Sequence, residues 1–183
     1  MSGHNKWSQI KAKKAVTDQR RSTLFSKLLR AVTVAAQKDP HPQFNPSLRS
    51  AMDQAREHSV PQENIDRAIK KSQESKDTVD ELLIEAYGPE GTALLIQAYT
   101  DNRNRTVAEI KKLLSEYGGK WADPGSVMWM FEFKEGEYAA KFIQPTTSEI
   151  QNSLVGLMEK IDEHNDVSRI YTNTSLTQDE LTV

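Results

Sequence analysis

The sequence predicts an α+β protein, an N-terminal helical bundle followed by a ferredoxin-like α/β domain. Three observations carry this reading. Across residues 8–71 apolar side chains recur at three-to-four spacing, the period of a helix buried on one face. Beyond a polar stretch at 72–80 the apolar residues gather into short runs bounded by turn residues. From Thr92 onward the elements follow the order strand, helix, strand, strand, helix, strand, which is the split βαβ arrangement. A chain of 183 residues has room for one large domain or two small ones. The division is read within the polar stretch, giving a basic helical domain at 1–76 and an acidic ferredoxin-like α+β domain at 77–183.

Each element has a local reason. Residues 8–15 form a short run without Gly or Pro. Between Arg20 and Gln37, the residues Leu24, Phe25, Leu28, Leu29, Val32, Ala35 and Ala36 make one apolar stripe. At about 100° per residue, Arg20, Lys27 and Lys38 fall together opposite that stripe, with Arg30 close by, so this face is expected to show cations to solvent. Asp39-Pro40-His41-Pro42 ends the helix, since proline disfavours helix at the preceding residue and lacks an N–H. Asn45-Pro46 reads as an N-cap with proline at the first helical position, opening a helix to about His58 with Leu48, Met52 and Ala55 inward. Val60-Pro61 opens the next helix, which carries Ile65 and Ile69 and ends at Lys70-Lys71.

In the second half, Leu82–Tyr87 and Thr92–Thr100 read as strands flanking the turn Gly88-Pro89-Glu90-Gly91. Arg103–Tyr117 is expected to be helical, with Val107, Ile110, Leu113 and Leu114 inward, closed by Gly118-Gly119. Ser126–Phe133 and a shorter run, Glu137–Phe142, read as strands joined by a turn at Glu135-Gly136. Thr146 and Glu149 have capping-box spacing for a helix reaching about His164. Val167–Tyr171 is the last strand, and the tail after Asn173 reads as loose.

Charge is near balance over the whole chain, with 24 Lys/Arg against 26 Asp/Glu, but it is strongly divided. Residues 1–76 hold 15 basic and 7 acidic side chains, a net of +8, and residues 77–183 hold 9 and 19, a net of −10. Residues 1–38 set Lys6, Lys11, Lys13, Lys14, Arg20, Arg21, Lys27, Arg30 and Lys38 against Asp18 alone. Such asymmetry points to a polyanion partner for the basic half; mutual neutralisation of the two halves is the competing account. The absence of cysteine excludes disulfides, thiolate catalysis and Cys-based metal sites. No apolar run has the ~20 residues of a membrane span, and the first residues lack the apolar stretch of a secretory signal. A cytoplasmic protein without a membrane partner is the expectation.

Two constellations could carry function. The first interleaves Trp7 and Ile10 with Lys6, Lys11, Lys13 and Lys14. Lysines supply phosphate contacts and an indole can stack on an unpaired base; alternatively Trp7 anchors the short helix to the bundle and the lysines form a solvated face. The second is Thr100-Asp101-Asn102-Arg103-Asn104-Arg105-Thr106, between a strand and a helix. Arg103 and Arg105 oppose the helix dipole, which makes sense if they hold an anion there; the alternative is local pairing, with both arginines bridged to acidic neighbours. Catalytic signals are poor. His4, His41, His58 and His164 lie at no ligand spacing, and there is no phosphate-binding glycine loop and no nucleophile elbow. One enzymatic reading, phosphate chemistry at Arg103 and Arg105, rests on fold analogy alone. No cofactor, metal or small-molecule substrate is expected.

Several motifs together resemble the YebC/PmpR family: Gly3-His4-Asn5-Lys6-Trp7 with Ile10-Lys11 and Lys14; Asn45-Pro46; Val60-Pro61 with Asn64-Ile65, Arg67-Ala68-Ile69-Lys70; Tyr87-Gly88-Pro89; Thr100-Asp101-Asn102-Arg103-Asn104-Arg105-Thr106-Val107; Gly118-Gly119; Gly125-Ser126-Val127; and Val167, Ile170-Tyr171 and Asn173. The resemblance covers nearly the whole chain. It implies a helical N-terminal domain, ferredoxin-like portions and a nucleic-acid-associated role, either in transcription or, as in a mitochondrial branch and bacterial relatives, in translation at the ribosome. It also implies a departure. Family members carry an additional α/β domain between the strand matching Ser126–Phe133 and the helix matching Thr147–His164, where this chain has only Lys134–Thr146. The loop Lys120-Trp121-Ala122-Asp123-Pro124 replaces a polar, glycine-rich segment.

The reading is a non-enzymatic nucleic-acid-binding regulator of gene expression. The candidate contact residues are Lys6, Trp7, Lys11, Lys13, Lys14, Arg20, Arg21, Lys27, Arg30, Arg103 and Arg105, and the partner is DNA, RNA or the ribosome. The alternative is a protein–protein adaptor whose basic half binds an acidic partner.

Overall fold

A computed structural model of the chain describes residues 18–74, 79–134 and 136–176. The backbone of 18–20 is helical, and side chains are described from residue 21 onward. The chain divides into two compact units, residues 16–81 with 99–103, and residues 82–98 with those from 104 onward.

The first unit contains α1 (Asp18–Lys38), α2 (Pro46–Glu57) and α3 (Gln62–Glu74). Their apolar stripes form one core: Val32, Ala35 and Ala36 from α1; Leu48, Ala51, Met52 and Ala55 from α2; Val60; and Ile65 and Ala68 from α3. Asn45 sets the turn between α1 and α2. Its side-chain oxygen accepts from the Leu48 N–H, and its amide donates to the carbonyls of Ala35 and Asp39 at 2.7 Å each. The N-cap expected at Asn45-Pro46 is therefore present and also closes the end of the preceding helix. The helix opening near Val60-Pro61 runs three residues past Lys71, into the stretch read as polar linker.

The second unit is built on a four-stranded sheet in the order β3 (Lys120–Trp121), β1 (Asp80–Tyr87), β2 (Ala93–Thr100), β6 (Val167–Thr172). Helices α4 (Arg103–Glu116) and α5 (Ser148–Asp162) cover one face. Strand alternation sends Leu82, Ile84, Ala86, Leu94, Ile96 and Ala98 toward them, against Ile110, Leu114, Leu154, Leu157, Met158 and Ile161. The opposite face carries Ala93, Leu95 and Tyr171 and is covered by Val127, Phe131 and the hairpin of β4 (Phe131–Lys134) and β5 (Glu137–Ala140). Gly119 sits where a helix meets the sheet. A Cβ there would lie 2.9 Å from Leu114 Cδ2 and 3.0 Å from Leu157 Cδ2, so any larger residue would push those side chains aside.

The α+β class is as expected, but two strands exchange roles. A ferredoxin-like sheet has the motif's first and third strands at its centre and the second and fourth at its edges. Here β2 and β1 are central and β3 and β6 are the edges, so β1, which precedes the motif in sequence, occupies the third strand's place. The run Ser126–Phe133 does not enter this sheet. Met128–Met130 form a 3-10 turn, and only Phe131 onward is strand, paired with β5 in a separate two-stranded sheet.

The cause is Glu85, which points from β1 to the hairpin side and is only 7% exposed. Its carboxylate accepts from the backbone N–H groups of Gly125, Val127 and Met128, the last two at 2.7 and 2.9 Å. Those donors cannot then join a ladder. Gly125 makes the bend at a φ of 87°, in the left-handed region that favours glycine.

Two smaller corrections follow from the structure. The cap of α5 is Thr147, whose hydroxyl accepts from the Ile150 N–H, in place of Thr146. The stretch after Asn173 is not loose throughout, because Thr174 bridges Gln144 and Leu176 is buried in the helix-side core.

Replacing Glu85 with Gln should destabilise the second unit by about 2–3 kcal/mol, because one of the captured N–H groups would face an amide NH2 instead of an acceptor. Urea unfolding checks the size. Hydrogen exchange should show protection lost first at Gly125, because the single amide oxygen can keep both Val127 and Met128.

Candidate nucleic-acid interface

The structure treats the candidate residues unequally. Lys6, Trp7, Lys11, Lys13 and Lys14 lie outside the described residues, as does the Arg20 side chain. Arg21 is exposed on α1, its guanidinium 5.4 Å from the centre of the Phe25 ring, an i,i+4 cation–π contact. Lys27 departs from expectation. The helical wheel places it on the solvent face, yet it is only 6% exposed. Arg30 is half-buried and donates from Nη1 to the Tyr99 carbonyl at 3.2 Å. The wheel assumes that α1 buries a single stripe. In the fold Lys27 is buried and Arg30 half-buried although they lie off that stripe, and long basic side chains tolerate this by laying their methylenes along apolar surface.

The arginine loop divides in the same way. Arg103, the first residue of α4, is exposed and makes no ion pair among the described residues. Arg105 bonds through Nη2 to Asp166 Oδ2 at 2.9 Å. Asp166 is 5% exposed and also accepts from the Thr106 hydroxyl at 2.7 Å, while its own N–H donates to His164 Nδ1. Since Nδ1 of His164 accepts, its Nε2 is the nitrogen that donates to Glu109, at 2.7 Å. This network ties the first turns of α4 to the turn that leads into β6. Local pairing, one of the two accounts open from sequence, therefore holds for Arg105, and an open cation holds for Arg103.

Three cations of α2 and α3 are locally matched. Arg56 pairs with Asp53 at 3.0 Å, Arg67 with Glu63 at 2.7 Å and Lys70 with Glu74 at 3.6 Å, all one helical turn apart. Arg49 instead donates from Nη1 to the carbonyls of Pro42 and Gln43. It braces a loop, residues 39–45, that was read from sequence only as a helix stop. Asp39 accepts from both the backbone N–H and the ring Nδ1 of His41, and these bonds hold its carboxyl below the usual range. The Phe44 and Asn45 N–H groups both bond the His41 carbonyl. At the tip stands Phe44, 74% exposed, with the His41 ring edge-on at 6.4 Å. A sequence signal for this was available. An apolar residue just before an N-cap normally staples onto the fourth helical residue. Here that residue is Arg49, so Phe44 has no staple partner.

Arg105→Ala should lower stability by about 1–2 kcal/mol, a Tm loss of roughly 2–4 °C per kcal/mol for a chain of this size, because a buried carboxylate loses its cation while keeping its hydroxyl donor. Arg103→Ala should leave Tm within about 1 °C. Thermal melts of the two single variants check both.

Comparison with known proteins agrees with the order of these elements. Residues 5–75 match the TACO1/YebC protein N-terminal domain, and residues 79–141 match the TACO1/YebC second and third domain. Proteins from Prosthecochloris aestuarii and Finegoldia magna, each named "Probable transcriptional regulatory protein", are 53% and 45% identical to this chain over 137 residues. Those alignments take in 73% of this chain and 55% and 57% of the relatives, so the chain spans about half the length of the curated relatives it matches. The crystal structure of a conserved hypothetical protein, Aq1575 from Aquifex aeolicus, superposes with a TM-score of 0.79 at 28% identity, covering 94% of this chain and 97% of that one. With both domain matches in sequence order and that fold shared, the chain belongs to the TACO1/YebC family.

Proposed function

We propose that this chain is a non-enzymatic regulator of gene expression that works in the cytoplasm by binding nucleic acid through its basic N-terminal residues. The observation that carries the reading is the concentration of net positive charge at the start of the chain. Residues 1–38 hold nine Lys/Arg against Asp18, and residues 1–17 hold four lysines and no acid. Three cations of α2 and α3, Arg56, Arg67 and Lys70, by contrast, pair with acids one turn away. A cationic segment of this kind raises local phosphate concentration and speeds encounter. The naming of relatives as transcriptional regulators supports a role in gene expression. DNA, RNA and the ribosome all present the phosphates that this charge would engage.

The test is the salt dependence of binding. If roughly four of Lys6, Lys11, Lys13, Lys14, Arg20 and Arg21 reach phosphates, they contribute a slope of about −3 to −4 in log affinity against log salt. Changing Lys11, Lys13 and Lys14 together to Gln should flatten the slope by about two to three units. Affinity should fall alike on unrelated sequences, because phosphate contacts position without specifying. Filter binding to duplex DNA, structured RNA and ribosomes at several salt concentrations reads all of this. An unchanged slope in the triple variant would move the weight to an adaptor that binds an acidic protein.

The domain division at 76/77 belongs to the same proposal, with the basic half docking and the acidic half contacting protein or positioning the first. Helix α3 continues to Glu74 and β1 begins at Asp80. With 72–80 read as the linker, mild proteolysis should cut in this stretch and leave two folded fragments. Persistence of the intact chain under conditions that cleave its other exposed loops would count against the division.

A further inference from the structure

The loop at residues 39–45 has more internal bonding than a connection between two helices needs. Asn45 makes two donor bonds and one acceptor bond, Asp39 takes two bonds from His41, and Arg49 binds two loop carbonyls. All of this fixes a tip whose largest side chain buries little. Phe44 is 74% exposed, more than any other large apolar residue described, and its ring stands 6.4 Å from that of His41. For stability alone an exposed phenylalanine contributes little, and a capped loop of this design would hold equally well with a polar residue at that position.

The surroundings select the ligand. His41 Nδ1 faces a carboxylate, which can only accept, so Nδ1 carries a proton and donates to Asp39. Arg49 commits Nη1 to the loop carbonyls, and the remainder of its fork has no partner among the described residues. The one acid of the loop, Asp39, is held by His41. An exposed aromatic face, an imidazole and a guanidinium therefore share one braced loop of a net-basic domain. Exposed aromatic faces beside cations suit an unpaired base with its phosphate: the base stacks on the ring and the phosphate meets the arginine.

We infer that Phe44, with His41 and Arg49, forms a stacking site for an unpaired nucleobase, so that this helical domain distinguishes single-stranded or looped nucleic acid from a duplex. This rests on the nucleic-acid reading above and adds a second, structure-selective contact to the charge of the N-terminal segment.

The experiment uses the full chain with a short unstructured RNA oligonucleotide and a duplex of matching sequence, at one salt concentration. Phe44→Ala should weaken the single-stranded RNA by about fivefold or more, the lower end of base–aromatic stacking, and change duplex affinity by less than about twofold. Phe44→Trp should restore binding, whereas Phe44→Leu, apolar but without a ring face, should not. Melting curves should be unchanged in all three, since the side chain is exposed. Photocrosslinking of 5-iodouridine in the RNA should map to Phe44 or His41. Equal losses on both probes, rescue by Leu, or single-stranded affinity unaffected by Phe44→Ala would overturn the stacking site while leaving the charge-based reading standing. A wild-type chain that binds neither probe would remove the nucleic-acid reading itself.

Discussion

The second unit depends on one buried carboxylate. Glu85 lies on the sheet face away from the helices, where strand alternation would otherwise place an apolar side chain between Leu83 and Tyr87. Burying an anion is costly unless it is fully bonded. Its three backbone N–H partners meet that condition and in doing so bend residues 125–128 across the sheet. The turn delivers Val127 and Phe131 onto Ala93, Leu95 and Tyr171, and it starts β4 at the position where β5 can pair with it. At the other end Arg169 on β6 reaches Glu137 on β5 at 3.2 Å, fastening the hairpin tip to the sheet edge. The hairpin is thus held at both ends by charge and in the middle by apolar contact.

The helical unit solves a related problem with neutral and local bonds. Asn45 satisfies one end of α2 and the end of α1 with a single side chain, and the outer faces of α2 and α3 match acids to bases one turn apart. Exposed pairs of this kind add little stability, on the order of 0.3–0.5 kcal/mol each. Their larger effect is to neutralise the field of those two helices, which leaves the net positive charge of the domain concentrated toward its N-terminal residues. Long-range attraction for a polyanion then has a direction, set by which cations lack an acid in the next turn.

Arg103 and Arg105 show how adjacent cations of one motif can take different work. Both oppose the dipole of α4, and the sequence offers the same argument for each. The fold places Asp166, some sixty residues later in the chain, against the second of them. Arg105 then serves the joint between α4 and β6, together with Thr106, His164 and Glu109.

The sequence by itself determined the elements whose causes are local. The stripe of α1, the Asn45-Pro46 cap, the turn at Gly88–Gly91 and the apolar runs of β1 and β2 all follow from periodicity and from the backbone limits of proline, glycine and asparagine, which act over a few residues. The charge division and the family motifs were legible for the same reason, being properties of the chain in order. Tertiary structure decided whatever depended on a distant partner. Glu85 turned the middle of an apparent strand into a 3-10 turn, because its hydrogen bonds join residues some forty positions apart. It left that run out of the four-stranded sheet, in which β1 takes a central place and β3 an edge. Burial of Lys27 and pairing of Arg105 were likewise invisible to a helical wheel, which knows one helix and not what packs against it. Phe44 lies between the two cases. The missing staple partner at Arg49 could be read from order alone, but only the folded loop shows that the ring is held out toward solvent beside His41, on a loop whose carbonyls Arg49 binds.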